Sequence, residues 1–135
     1  MSPVIIRANW MELSQDGREL VLKRFDRSQI DRDKTKRLDL SEGVRLEGAV
    51  KAARTWEVVL VPDTRAPEFE GVFRSECPYR TILSIPVIGT TLLGVVNVDC
   101  SEPGRLDESI LDDILDIVYL IGLVEEVRRL GKPKS

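Results

Sequence analysis

The chain has 135 residues, 42% of them apolar and 32% charged, which is enough for one soluble domain with a hydrophobic core. Its net charge is -3, from 20 basic and 23 acidic residues, so a nucleic acid is not expected as the main partner. The sequence contains no histidine, which excludes histidine-ligated haem, the usual zinc triads and every Ser-His or Cys-His catalytic pair.

Hydropathy and cysteine content bear on localisation. The longest clean apolar run is IVYLIGLV, which has about 8 residues, whereas a membrane-spanning helix needs about 20. The first residues do not have the pattern of a signal peptide. We therefore expect a cytoplasmic protein without membrane contact, in which two cysteines are more often free thiols than a structural disulfide.

The N-terminal part of the chain predicts a β-hairpin followed by a basic loop. The β-rich runs VIIRANWMEL (4–13) and ELVLKRF (19–25) flank an Asp16-Gly17 turn. Basic residues then exceed acidic ones from Arg18 to Lys36. This excess indicates a solvated hairpin and loop or, alternatively, a patch for an anion or a partner.

A short helix, a strand and an irregular segment are predicted next. The run SEGVRLEGAVKAAR (41–54) has a helical stripe of four apolar residues, with Ser41 as its candidate N-cap. WEVVLV (56–61) is a strand ended by Pro62. Residues 62–80 contain three prolines and Gly71 without a clean period, which predicts a loop with at most one short helix. The stripe of the first helix consists of Leu46, Ala49, Val50 and Ala53.

Two strands, Thr81–Ile88 and Leu92–Asp99, are predicted to form a second hairpin through Gly89 and Thr90. Both strands are almost continuously apolar, which indicates that both faces of the sheet are covered. Pro86 lacks a backbone N–H, so we expect it at an edge or a bulge.

The last predicted element is a helix from Asp107 to Leu130, about 35 Å long. Asp107 is its expected N-cap, with Leu106 and Leu111 as a hydrophobic staple. Its apolar residues cover more than the roughly 100° stripe that one sheet buries, so a second packing partner is expected. We predict a homodimer through this helix, with a seam of Ile110, Ile114, Ile117, Ile121 and Val124.

Three segments together resemble a GAF domain over about Glu42 to Val124. They are EGVRLEGAVKAARTWEVVLVPD, YRTILSIPVIGTTLLGVVNVD and PGRLDESILDDILDIVYLIGLV. The resemblance implies one α+β domain over residues 1–135: an antiparallel sheet of about six strands, with helices on one face and a ligand pocket on the other. Most of the family has a helix before the first strand. This sequence shows none there, so we expect part of one sheet face to lack that cover.

Departures from the family's motifs also limit which of the family's functions this chain is expected to have. Haem- and bilin-binding members depend on histidine or a Cys-His pair, which is absent here. Cyclic-nucleotide members carry a motif of which this chain keeps only Asn97 and Asp107-Glu108. Free methionine-(R)-sulfoxide reductase uses cysteines around the pocket. This chain has Val98 at the nucleophile position, and its Cys77 and Cys100 are displaced from the family pattern.

Asn97 and Asp99 are candidate ligand-binding residues at the end of the last strand. By alternation Asn97 shares a face with Leu93 and Val95, while Leu92, Gly94, Val96 and Val98 point the other way. If the helices cover the second set, Asn97 faces the pocket. Alternatively, it marks the fraying end of the strand.

Four further candidates lie in or beside the irregular segment. Tyr79 and Arg80 stand where it enters the second hairpin, and the guanidinium is suited to bidentate binding of a carboxylate or phosphate. Pairing with Asp99 is the alternative. Asp63 and Arg65 either contact a ligand or shape a turn. Two aromatic residues four apart, Phe69 and Phe73, are expected to anchor the segment.

Cys77 and Cys100 are possible redox residues. If the second hairpin turns at Gly89 and Thr90, Thr81 lies opposite about Val98, and both cysteines fall just past the open end of the hairpin. Reversible pairing is then feasible, because diagonal neighbours in a sheet are about 7 Å apart. Two unpaired thiols are the alternative.

These features predict a non-catalytic sensory or regulatory domain that binds a small molecule in signal transduction. The ligand would lie between the sheet and residues 62–80, and closure of that segment would shift the long helix. No cofactor or metal is expected. The alternatives are a dimerisation module with a vestigial pocket and a thiol-dependent enzyme acting on a sulfoxide, in which Cys77 or Cys100 is accessible.

Overall fold

A computed structural model describes residues 3–25, 36–41, 47–73 and 77–131. Six strands and two helices follow one another, with one turn of 3₁₀ helix at Pro67–Phe69. In chain order they are β1 (Ile6–Leu13), β2 (Glu19–Phe25), β3 (Arg37–Asp39), α1 (Gly48–Thr55), β4 (Val59–Val61), β5 (Thr81–Ile88), β6 (Leu92–Cys100) and α2 (Glu108–Leu130).

The strands form one antiparallel sheet in the order β3-β2-β1-β6-β5-β4. β6 lies at its centre and pairs with β1 on one side and β5 on the other. Both β5 and β6 are buried along most of their length, as their continuous apolar runs predicted. The predicted α+β class with about six strands is confirmed.

β3 was not predicted, because its three residues lie in a charged stretch with one apolar side chain. Leu38 pairs with Leu20 of β2 and packs against the core, while Arg37 forms an ion pair with Glu19. A three-residue strand is too short for a period-2 pattern to be visible in the sequence. The basic loop before it lies mostly outside the described residues.

α1 begins at Gly48, later than the predicted start near Ser41. Its N-cap residue is Glu47, which makes no capping hydrogen bond through its side chain. The prediction of Ser41 as the cap was wrong, because the N-cap position is Glu47. The backbone N–H and the hydroxyl of Ser41 both donate to the carboxylate of Asp39. Residues 42–46, including Leu46 of the predicted stripe, lie outside the described residues.

The two helices cover opposite faces of the sheet, whereas the sequence placed both on one. The α1 face has a core in which Ala49, Ala52 and Ala53 pack against residues of five strands. These small side chains allow α1 to lie close to the sheet. The strand residues of this core are Met11, Leu20, Leu22, Val59, Val61, Ile82, Leu92 and Val95.

The α2 face has a separate core on the other side of the sheet. Val118 and Leu106 are buried there, and Ile110, Leu111, Ile114 and Ile121 pack at its margin. The strand residues are Trp10, Leu83, Ile85, Val87, Leu93, Val96 and Cys100.

α2 has the boundaries that the sequence predicted. The carboxylate of Asp107 accepts a hydrogen bond from the Ser109 N–H at 2.9 Å and another from the Ser109 hydroxyl. These bonds lower the pKa of Asp107. Near the other end, Glu126 accepts hydrogen bonds from the backbone N–H and the hydroxyl of Thr90, at 3.3 and 3.0 Å. The helix is therefore fastened to the β5–β6 turn.

Pro86 lies past the short stretch of β5 that pairs with β4. The last paired residue of β5 is Ser84. The expectation that Pro86 occupies an edge is met, since β5 has no neighbour on that side at residue 86 among the described residues. Within the same described part of the chain, no helix is long and apolar enough to cross a membrane.

Candidate functional site

Three polar side chains form a continuous row across the centre of the sheet. Asn9 of β1, Asn97 of β6 and Ser84 of β5 occupy directly opposed positions in the register. The Ser84 hydroxyl donates to Asn97 Oδ1 at 2.6 Å, and Asn97 Nδ2 donates to Asn9 Oδ1 at 3.0 Å. All three residues are buried, with at most 7% of their surface exposed. We call them the polar row.

The polar row belongs to the α1 face. Asn97 lies two residues from Val95, whose side chain is in the α1-face core, and side chains alternate along a strand. A Cβ atom on Gly48 would lie 3.9 Å from the Ser84 hydroxyl oxygen, so α1 begins directly over the row. Asn97 thus faces away from α2, as its alternation indicated. Contact with a ligand stays a prediction.

One part of that alternation was wrong. Leu93 was expected to share the face of Asn97, but it packs in the α2-face core, and Leu92 packs in the α1-face core. The pairing of β5 with β6 shifts register between Val87 and Ile88, which reverses the faces at the start of β6. The start of β6 is entirely apolar, so its hydropathy pattern does not indicate where the register shifts.

The polar row contains a hydrogen-bond donor that has no partner in the part of the chain that the structure describes. Among the described residues, no acceptor lies within hydrogen-bonding distance of the Asn9 side-chain nitrogen, although Asn9 is 93% buried. Buried amides are hydrogen-bonded in the great majority of cases, and each exception calls for an explanation. A buried donor of this kind is suited to an acceptor group of a ligand.

Asp99 continues the same face of β6 and lies in an ion pair with β1. Its carboxylate is 2.9 Å from Arg7 Nε, and only 3% of the Asp99 side chain is exposed. The sequence offered Arg80 as the alternative partner of Asp99, which was wrong. Arg7 lies directly opposite Asp99 in the β1–β6 register, which places its guanidinium beside the carboxylate.

Arg80 instead pairs with Asp63. Its Nε and Nη2 atoms each donate to one carboxylate oxygen of Asp63 at 3.0 Å, a bidentate arrangement. Asp63 also accepts a hydrogen bond from the Arg65 backbone N–H at 3.0 Å, which is the turn geometry that the sequence gave as its alternative role. The side chain of Arg65 is exposed. These three residues therefore shape the ends of the irregular segment.

The Asp63–Arg80 pair should make stability depend on pH. The Arg80 hydrogen bonds, followed by the Arg65 N–H, hold the pKa of Asp63 below its ordinary value of 3.8. Stabilisation by the carboxylate is then complete above that ordinary value and is lost as the pH falls through the lowered pKa. We expect Asp63→Asn to lower the melting temperature at pH 7 and to flatten its decline in acid.

Thermal melts of Asp63→Asn and wild type between about pH 7 and pH 2.5 test this prediction. Glu57→Gln is the control, because its side chain is exposed and the same type of charge is removed elsewhere. If both variants show the wild-type pH profile, the pair does not contribute to acid stability.

Tyr79 closes a small aromatic cluster with the two phenylalanines of the irregular segment. Phe69 meets Phe73 edge to face, with ring centroids 6.2 Å apart, and Phe73 meets Tyr79 in the same way at 6.1 Å. All three pack against the α1-face core. The predicted anchoring role of Phe69 and Phe73 is confirmed, and Tyr79 shares it.

The two cysteines are unpaired and occupy different environments. Cys100 is fully buried in the α2-face core. Cys77 is half-buried, and its sulfur is 3.5 Å from the carbonyl oxygen of Tyr79. The predicted register was two residues off, since Thr81 lies opposite Cys100 and not Val98. Cys100 is therefore inside the hairpin and fully buried.

Two further features bear on function. Within the part of the chain that the structure describes, no group of three or more cysteine, aspartate or glutamate residues is arranged to hold a metal. An open groove of about 610 Å³ lies on the other side of the sheet, between the end of the β5–β6 hairpin and α2. Leu115, Tyr119 and Leu123 line its helix side. The sequence did not predict this groove.

Asn9 and Ser84 were missed as site residues. Each is a single polar residue inside a strand whose neighbours are mostly apolar, in RANWM and LSIPV. An isolated polar residue in an apolar strand is visible in the sequence. It indicates a site only once the strand order places both residues beside Asn97. Order and register depend on long-range pairing, which hydropathy does not encode.

The fold, but not the sequence, matches known proteins. No protein-family model and no curated protein matches the sequence. A structure of a GAF domain is 19% identical with a TM-score of 0.68; the match covers 88% of this chain and 64% of that one. The GAF domain of the phosphoenolpyruvate-protein phosphotransferase from Acinetobacter is 16% identical with a TM-score of 0.75, covering 96% of this chain and 76% of that one.

An enzyme is also among the similar structures. Free methionine-R-sulfoxide reductase from Neisseria meningitidis, in complex with its substrate, is 17% identical with a TM-score of 0.73. The match covers 93% of this chain and 70% of that one. The chain therefore has the GAF fold, and it spans less than two thirds of the first of these structures. Identities this low establish the fold alone, which is shared by binding domains and enzymes.

Proposed function

We propose that this domain is a non-catalytic sensory or regulatory module that binds a small molecule on its α1 face. The observation that carries the proposal is the polar row, in which the buried Asn9 side-chain nitrogen has no acceptor among the described residues. Ligand sites combine an apolar lining with a few placed polar groups. Met11 and Val95, each two residues from an asparagine of the row, belong to the α1-face core, and the aromatic cluster packs against the same core.

The position of the row defines the kind of ligand that fits. Asn9 and Asn97 present amide groups in a buried setting, so the ligand should be uncharged where it meets them and should carry a carbonyl or similar acceptor. Arg7 and Asp99, which lie two residues from Asn9 and Asn97 along the same strands, neutralise one another. A compact polar metabolite or an amide-bearing heterocycle has this chemistry, whereas a polyanion does not.

The irregular segment is the part that would respond to the ligand. It is fastened at its two ends, where the Thr64 N–H donates to the Arg80 carbonyl at 2.7 Å and the Thr64 hydroxyl donates to the Tyr79 carbonyl at 2.9 Å. Binding would favour the arrangement in which the segment closes over the row, by the difference in affinity between the two states. The β5–β6 hairpin, which holds both Ser84 and the Glu126 contact of α2, would transmit the change.

A thiol-dependent reductase is the second candidate, and similarity to the Neisseria enzyme is what favours it. Its weakness is the position of the thiols: Cys100 is buried on the α2 face, and the polar row is on the other. Turnover of free methionine sulfoxide with a thiol reductant, abolished by Cys77→Ser, would replace the sensory proposal with this one. A dimerisation module without a ligand is the remaining alternative.

A thermal-shift screen against classes of metabolites tests the proposal. A ligand at 100 times its Kd should stabilise the native state by about 2.7 kcal/mol and raise the melting temperature accordingly. We expect Asn9→Ala to lose most of this rise, because the open amide is removed. Tyr119→Ala, an exposed change on α2, should keep it.

Two outcomes would contradict the sensory proposal. One is a screen in which no metabolite class shifts the melting temperature of the wild type. The other is a ligand whose effect survives Asn9→Ala and is lost in Tyr119→Ala, because binding would then lie in the groove beside α2.

A further inference from the structure

The hydrogen bonds of the polar row run in one direction, which is visible in their lengths. The Ser84 hydroxyl oxygen is 2.6 Å from the facing atom of the Asn97 amide. O–H···O bonds are about 2.5–3.0 Å long, whereas N–H···O bonds are about 2.7–3.2 Å long. The short contact is therefore that of a hydroxyl donating to the amide oxygen. The amide nitrogen of Asn97 then points the other way, towards Asn9.

The orientation of Asn97 fixes that of Asn9 in turn. An amide nitrogen only donates, so the atom that Asn97 Nδ2 meets at 3.0 Å is the side-chain oxygen of Asn9. The side-chain nitrogen of Asn9 is then left at the end of the row. Each amide is thus oriented by the group before it, and Ser84 is the first group of the series.

Burial decreases along the row from Ser84 to Asn9. Ser84 is 0% exposed, Asn97 3% and Asn9 7%. α1 begins over the Ser84 end, where a Cβ atom on Gly48 would lie 3.9 Å from the hydroxyl oxygen. The hydroxyl donor is therefore satisfied at the end where an unpaired donor would cost most, and the donor without a partner lies at the least covered end.

The opposite direction of bonding uses the same three side chains but is disfavoured by Ser84. With both amides turned over, Asn9 would donate to Asn97, and Asn97 would donate to the Ser84 oxygen. The row would then end in the Asn9 oxygen. Within the described chain, the hydroxyl of Ser84 donates only to Asn97. The reversed row would therefore leave that hydroxyl hydrogen unpaired in a fully buried position.

We infer that Ser84 is a positioning residue that sets the ligand preference of the polar row. Its hydroxyl orients Asn97 and, through it, Asn9, so that the row ends in an N–H donor. The consequence for binding rests on the proposed function. At Asn9 the ligand must present a neutral acceptor, such as the carbonyl oxygen of a lactam or another amide, and a group that offers only an N–H donor is rejected.

Scalar couplings across hydrogen bonds test the direction of the row in the isotope-labelled chain without a ligand. We expect a coupling from the side-chain nitrogen of Asn97 to Cγ of Asn9, and none from the side-chain nitrogen of Asn9 to Cγ of Asn97. Backbone couplings across the β1–β6 ladder in the same spectrum control for sensitivity. A coupling in the reverse direction, or no side-chain coupling where the ladder couplings are visible, would overturn the inference.

Ser84→Ala tests the role of the hydroxyl. Without it both directions should be populated, so the coupling from Asn97 to Asn9 should weaken at least about twofold. Ser84→Thr retains a hydroxyl and should keep the wild-type coupling. Ser101→Ala is the matched control, because it removes a hydroxyl that bonds with the Ile5 N–H beyond the end of β6. An unchanged coupling in Ser84→Ala would show that Ser84 does not set the direction.

Two small neutral rings test the ligand preference. N-methylpyrrolidone offers a carbonyl acceptor and pyrrole an N–H donor, and each is titrated while the side-chain amide signals of Asn9 are followed. We expect N-methylpyrrolidone to bind the wild type at least about tenfold more tightly, a difference typical of one placed hydrogen bond. Ser84→Ala should reduce that preference at least about threefold, whereas Ser101→Ala should retain it.

The two possible failures of this binding test are distinguishable. Equal binding of both rings to the wild type would overturn the specificity role of Ser84. Binding of neither ring would contradict the ligand site of the proposed function and, with it, the specificity role. The couplings would still report the direction of the row, because they are measured without a ligand.

Discussion

Replacing Gly94 with alanine should destabilise the domain by about 3 kcal/mol, at or above the upper end of the usual cost of overpacking. Gly94 lies in β6 opposite Glu12 of β1, at the centre of the sheet. A Cβ atom at this position would overlap the backbone carbonyl oxygen of Met11, and it would lie 2.5 Å from the buried indole ring of Trp10. The Met11 carbonyl cannot move away without separating β1 from β6.

Urea unfolding of Gly94→Ala and wild type measures this effect. Gly131→Ala is the matched control, because its backbone is in the ordinary right-handed region and an added Cβ would meet only normal contacts at 3.6 Å or more. We expect the control to stay within about 0.5 kcal/mol of the wild type. If Gly94→Ala also stays within that range, the close approach of β1 to β6 is not present in solution.

The second large effect concerns the ion pair between Arg7 and Asp99. Arg7→Met should destabilise the domain by roughly 3 kcal/mol, because it removes the guanidinium from a carboxylate that is almost completely buried. Part of that loss is the cost of removing one partner from a buried carboxylate, in addition to the strength of the pair itself. Combining Arg7→Met with Asp99→Leu should therefore restore much of the stability.

Chemical denaturation of the two single variants and the double variant completes this test. Arg37→Met is the control, since Arg37 forms an ion pair with Glu19 at an exposed site and should cost less than about 1 kcal/mol. A double variant as unstable as the sum of the single ones would show that Arg7 and Asp99 act independently. A small effect of Arg7→Met would show that Asp99 is satisfied by other contacts.

Local pattern was sufficient for most elements of this fold. Alternating and β-branched runs identified β1, β2, β5 and β6 because each strand has a strong period or a long apolar run. The ends of α2 were predictable from Asp107, whose side chain caps the first turn, and from the arginines at its C-terminal end. These signals depend only on residues that are close in sequence, so these elements can be predicted from a single sequence.

The candidate site was less predictable, because it depends on which strands become neighbours. Asn97 could be placed on a face, but its partners Asn9 and Ser84 are 88 and 13 residues away and meet it only through the β1–β6 and β5–β6 pairing. The register shift near Ile88 moved Leu93 to the other face. Together with a turn of three residues, 89–91, in place of the predicted Gly89-Thr90, it placed Cys100 opposite Thr81. The sequence likewise does not decide whether Arg80 pairs with Asp63 or with Asp99. The choice depends on the folded structure, in which Arg80 pairs with Asp63.

Binding on the α1 face is tested most directly by nuclear magnetic resonance, with the side-chain amide signals of Asn9 and Asn97 as probes. The chain is titrated with a metabolite that raises its melting temperature. We expect both amide signals to shift in proportion to occupancy, with the larger change at Asn9, while the backbone signals of Leu115 and Tyr119 in the α2 groove change less. Unchanged Asn9 and Asn97 signals at saturation would contradict a ligand site at the polar row.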